Sequence, residues 1–66
     1  MIVNPGEICL SVSLSEQDAW DLVQFLKRTG FADFRSNSVD DEEVYRMIAA
    51  AEKLKSNLAA IGYRPR

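Results

Sequence analysis

Residues 40–61 read DDEEVYRMIAAAEKLKSNLAAI, and they carry a start signal, an apolar stripe and a stop signal for one long helix. Val44, Met47, Ile48, Ala51, Leu54, Leu58 and Ile61 recur at steps of three and four, which holds them on one face of a 3.6-residue helix. Asp40 stands as N-cap with Glu43 three residues on, an acidic variant of the capping box, and Val39 and Val44 occupy the positions of a hydrophobic staple. At the other end Gly62 offers the left-handed conformation that closes a helix, Tyr63 is placed to fold back on Leu58 as in a Schellman motif, and Pro65 forbids continuation. At ~1.5 Å per residue such a helix spans roughly 30 Å, the width of a small domain, and is expected to form the floor on which the rest packs. Met47, Ala51, Leu54, Leu58 and Ile61 also trace the seam of a coiled coil, but they cover only about two heptads where three or four are needed, so a packed core face is expected. Ala49, Ala50, Ala59 and Ala60 permit close approach of another helix, and they are equally explained by helix propensity.

Going toward the N-terminus, residues 31–39 connect this helix to an earlier one and have room for a single helical turn. Phe31 and Phe34 are spaced to share a face and plug the end of a two-helix layer; the alternative is an exposed loop surface of Phe34, Arg35 and Asn37 beside the acidic run. The earlier helix is expected over Glu16 to Arg28. Ser15 is its N-cap, Asp18 completes a capping box, Leu14 and Ala19 are placed for a staple, and Gly30 is the expected stop with Phe31 reaching Leu26. Ala19, Leu22, Val23 and Leu26 form its apolar face with Trp20 and Phe25 at the margins. An aromatic bordering such a stripe is more often core than binding anchor, since its area is large and this domain is short of area.

Before Ser15 the period changes. Ile8, Leu10, Val12 and Leu14 alternate with Glu7, Cys9, Ser11 and Ser13, the pattern of a half-buried strand. A strand needs a partner for its backbone groups. Pro5-Gly6 supplies the central pair of a type II turn toward residues 1–4, yet that turn suits a tight hairpin poorly, so pairing with a strand of a second copy is favoured over a hairpin. The fold class expected is therefore α+β: an N-terminal strand or short hairpin followed by two antiparallel helices, residues 1–66 forming a single domain and a homodimer through the strand.

Composition supports self-association. A chain of 66 residues buries only about 60% of its unfolded surface, and domains of this size usually rely on a staple. One Cys and no His exclude an internal disulfide and make a zinc site a poor fit. No apolar run approaches the roughly 18–20 residues of a membrane span and no basic region precedes a hydrophobic run, so a cytoplasmic location is expected, with no membrane partner.

The net charge of −2 conceals an asymmetry, because residues 1–43 hold nine acids and three bases whereas residues 44–66 hold one acid and five bases. The run Asp40, Asp41, Glu42, Glu43 sits where the helix macrodipole stabilises negative charge, and it doubles as an acidic patch for a basic partner. Catalysis is not expected: there is no His, no phosphate-binding Gly loop and no Cys cluster, adjacent carboxylates on a helix diverge, and Cys9 has no His to activate it. No metal or cofactor is expected either. A helix-turn-helix reading is opposed by the long 30–39 connection and by four acids where a recognition helix should meet bases. Lys53, Lys55, Arg64 and Arg66 could touch a nucleic-acid backbone, so a small DNA-binding regulator is the second reading, although direct nucleic-acid binding is disfavoured by the overall acidity.

The run Gln24-Phe25-Leu26-Lys27-Arg28-Thr29-Gly30-Phe31, continuing through Asp33-Phe34-Arg35 to Val39-Asp40-Asp41-Glu42-Glu43 and Tyr45, resembles a family of short uncharacterised bacterial proteins carried on plasmids and other mobile elements, over about residues 14–66. That resemblance supplies no catalytic motif. It implies a setting in which small acidic proteins include inhibitors of host defence, among them anti-CRISPR proteins, by analogy of class. The expected function is a non-enzymatic protein-binding module that engages a host defence complex through Phe34, Arg35, Asp40, Asp41, Glu42 and Glu43. A structural or antitoxin-like interaction subunit is a further alternative.

Overall fold

A computed structural model describes residues 6–64 and consists of three helices: α1 (Glu16–Arg28), α2 (Phe31–Ser36) and α3 (Asp41–Ala60). The expected residues start and stop α1 and α3 with one exception. Ser15 caps α1, its Oγ accepting from the Asp18 N–H at 3.0 Å while the Asp18 carboxylate accepts from the Ser15 N–H at 3.4 Å. Asp40 caps α3 by accepting from the Glu43 N–H at 2.8 Å, and Glu43 reaches past the cap to accept from the Val39 N–H at 2.9 Å. At the far end Gly62 adopts φ 104°. The Tyr63 N–H then donates to the Leu58 carbonyl at 2.9 Å and the Gly62 N–H to the Ala59 carbonyl at 3.1 Å, the paired bonds of a Schellman motif.

The exception is the end of α1. Gly30 lies in extended backbone, φ −100° and ψ 178°, and serves as N-cap of α2 rather than as a left-handed stop. Thr29 ends α1 by turning to ψ 113° while its Oγ1 donates to the Phe25 carbonyl at 2.7 Å. Asp33 then accepts from the Gly30 N–H at 2.9 Å, so the single turn allowed for in residues 31–39 becomes a short helix with its own start. The proposed staple of Val39 on Val44 is not made in the expected sense, since Val44 is buried while Val39 is exposed.

The larger correction concerns the fold class. Among the described residues there is no strand, and the fold is all-helical rather than α+β. Residues 7–15 precede α1 as an arm without regular secondary structure, with Ile8, Leu10, Val12 and Leu14 at 82, 81, 71 and 45% exposure. Alternation gives a segment two distinct faces, but it becomes a strand only where a second segment satisfies its backbone. The turn and hairpin expected over residues 1–6 fall largely outside the described residues, as do Pro65 and Arg66; Gly6 alone is described, at φ 85°.

The start of α1 lies beside the end of α3. Ala19, Val23 and Leu58 form the buried cluster between them, with Leu22, Leu26 and Tyr63 packed against it. Trp20 meets Tyr63 edge-on with ring centroids 4.9 Å apart and is half-buried, which fits the core assignment better than that of an exposed anchor. At the other end α2 packs against α3, Val44 is buried in the first turn of α3, and Phe31 stands 6.0 Å from Tyr45 between ring centroids. The molecule extends 34 × 32 × 15 Å along its principal axes, and each helix has only part of its surface against another. The expected stripe is accordingly covered unevenly: Val44 and Leu58 are buried, Met47, Ile48 and Ala51 are half-buried, and Leu54 and Ile61 are exposed.

Candidate functional site

The acidic run proposed as a contact surface proves to be tied into the fold. Asp40 is the N-cap and Glu43 holds the Val39 N–H, as described above, and Asp41 pairs with Arg35 through Oδ1 and Nε at 2.9 Å. Arg35 also donates from Nη1 to the Ser38 carbonyl at 3.2 Å, and the Ser38 hydroxyl donates to the Arg35 carbonyl at 2.9 Å. This network pins the end of α2 to the first turn of α3 across residues 37–40. Both members of the ion pair are exposed, at 46 and 77% for the side chains, so the pair contributes at most about 1 kcal/mol. Glu42 is the acid of the run left to face solvent.

These roles separate by mutation. Asp40→Ala is expected to cost ~1 kcal/mol, the usual loss for an N-cap, whereas Glu42→Gln should stay within about 0.5 kcal/mol of wild type. Urea denaturation followed by circular dichroism distinguishes the two. Equal losses would show that the run acts through its summed charge rather than through the cap.

Phe34 points elsewhere. It is half-buried and lines an open groove of about 820 Å³ between the second half of α1 and α2, together with Phe25, Leu26, Asp21, Arg28 and Asp33. Asn37 closes the end of α2 beside the groove, its Nδ2 donating to the Asp33 carbonyl oxygen at 2.8 Å. Phe25 is 62% exposed. The sequence places it at the margin of the α1 stripe, but only the turn into α2 at Thr29 and Gly30 brings it next to Phe34, fewer than ten residues away along the chain. The groove thus unites one expected site residue, Phe34, with one that the stripe alone did not mark as functional. Arg35 and the acids at 40–43 belong to the neighbouring corner, linked to the groove through α2.

Lys53 and Lys55, considered for a nucleic-acid backbone, do not form one stripe. Two residues apart on α3, they point roughly 160° apart, and Lys55 pairs with Glu52 at 3.4 Å. Arg64 lies beyond the helix end. Among the described residues, no group of three His, Cys, Asp or Glu side chains is placed to hold a metal ion, and no helix is long and apolar enough to cross a membrane.

Residues 1–66 match a family described as a family of unknown function, DUF7706, and the chain belongs to it. No curated protein and no solved structure matches the chain.

Proposed function

From a family whose function is unknown, we infer a non-enzymatic protein-binding module that takes an apolar side chain of its partner into the α1–α2 groove. The observation that carries this reading is Phe25, an aromatic 62% exposed beside Phe34 in an open groove. Leaving a phenylalanine in water forgoes about 1.5–3 kcal/mol of burial, in a domain that has little apolar area to spare. Large exposed aromatics in a concave surface are the usual anchors of protein interfaces. Charge then selects the partner. The groove and its acidic corner fall within residues 1–43, which hold nine acids and three bases, and this favours a partner segment with lysine or arginine flanking its apolar anchor.

The resemblance to proteins of mobile elements supports placing that partner in a host defence complex, where Glu42 and the charged corner around Arg35, Asp40, Asp41 and Glu43 would compete with phosphates for basic side chains. An anti-CRISPR role is the form of that reading to test first. Because three of the four acids already hold intramolecular partners, they contribute field and approach rate, and the aromatic groove contributes the lasting contact.

Tagged protein captured from a bacterial host with intact defence systems, followed by mass spectrometry and binding measurements on the recovered component, tests this. Phe25→Asp is expected to lower affinity about thirtyfold or more, as for an interface hot spot, with unchanged helical circular dichroism because the side chain is exposed. Glu42→Lys should slow association and reduce its salt sensitivity. Retention of full affinity by Phe25→Asp would remove the groove from consideration.

A further inference from the structure

The second exposed apolar surface is the arm before α1, and it is independent of the groove. Ile8, Leu10, Val12 and Leu14 are at 82, 81, 71 and 45% exposure, every second residue of one segment. Among the described residues, Leu10 to Leu14 make no backbone hydrogen bond. From Ile8 to Ser15 the arm contains no charge, and its two flanks are Glu7 and Glu16. An uncharged alternating segment with open backbone groups is a template for edge-to-edge pairing, and proteins that keep such edges single guard them with charge or proline. Here no such guard stands within the segment.

We propose that the arms of two copies of this chain pair antiparallel about a two-fold axis at Val12. The occupant is a second copy because the segment is complementary to itself. In an antiparallel alignment that keeps the apolar side chains on one face, each residue meets one an even number of places away, and some residue must meet its own counterpart. Centring on Val12 uses the whole run Leu10 to Leu14: Leu10 faces Leu14 of the other copy, Val12 faces Val12, and Ser11 faces Ser13. Hydroxyls then oppose hydroxyls and aliphatic groups oppose aliphatic groups, the pairs that stabilise adjacent segments. No like charges meet, because Glu7 and Glu16 fall outside the paired run. Each chain remains all-helical by itself, and the pairing belongs to the assembly.

The test uses the full chain. Sedimentation or light scattering from micromolar to millimolar concentration is expected to show a monomer–dimer equilibrium, and Val12→Lys, which sets two ammonium groups against each other on the axis, is expected to give monomer throughout with wild-type helical circular dichroism. In a Cys9→Ser background, Val12→Cys is expected to oxidise to a disulfide-linked dimer at a rate that stops rising with protein concentration once the dimer is populated, since opposed residues bring their Cβ atoms within disulfide reach. A cysteine at the exposed Ser36 is the control and should cross-link only in proportion to collision frequency. A wild-type monomer at every concentration, or a Val12→Cys variant that cross-links no differently from Ser36→Cys, overturns the proposal.

Discussion

Replacing Val23 by aspartate is expected to abolish the cooperative unfolding transition and most of the helical circular dichroism. Val23 is 0% exposed at the centre of the cluster formed with Ala19 and Leu58. A carboxylate there has no basic partner within that cluster, and leaving a charge unpaired in such a place costs several kcal/mol. A chain of this length has about 3–10 kcal/mol of stability to lose, so one substitution consumes most of it. Temperature scans of the variant beside Phe25→Asp make the comparison clean. Both put the same side chain on the same helix two residues apart, and only burial differs. A folded Val23→Asp variant with a sharp transition would mean that the α1–α3 contact is not the stabilising centre of the domain.

The second large effect distinguishes two leucines that look equivalent in the sequence. Leu58→Ala is expected to cost roughly 2–4 kcal/mol, and Leu54→Ala less than about 1 kcal/mol. Both belong to the stripe of α3, yet Leu58 is 5% exposed and Leu54 is 42% exposed. Leu58 touches α1 and also anchors the helix end, because its carbonyl accepts the Tyr63 N–H and Tyr63 packs against the same cluster. For a domain of this size each 1 kcal/mol shifts the melting temperature by roughly 4–8 °C, so the two variants separate easily in a thermal scan. Equal losses would indicate that Leu54 is covered in solution by another chain along the α3 seam.

The geometry around the expected contact residues was legible in part. Phe34 and the acids at 40–43 stand out as an aromatic and a charge run in a connecting segment, and Phe34 does line the groove. The jobs of the acids are harder to read. Asp40 was recognisable as a cap because capping has a fixed spacing, whereas the Arg35–Asp41 pair depends on how the chain turns between α2 and α3. The placement of Phe25 beside Phe34 has no mark in the sequence for a related reason. Its helical position puts it off the stripe of Ala19, Leu22, Val23 and Leu26, and exposure on a margin acquires meaning only when Phe34 arrives beside it.

By itself the sequence determined the helices and most of their ends. Ser15 with Asp18, Asp40 with Glu43, and Gly62 with Tyr63 act through hydrogen bonds between residues at most five apart, so no distant part of the chain can alter them cheaply. Only the tertiary structure decided which residues of each stripe are buried and that the arm over residues 7–15 is not a strand of this chain. Those outcomes depend on partners supplied from elsewhere. Periodicity tells a segment which face is apolar, whereas burial and backbone pairing require a second surface whose position the segment does not encode.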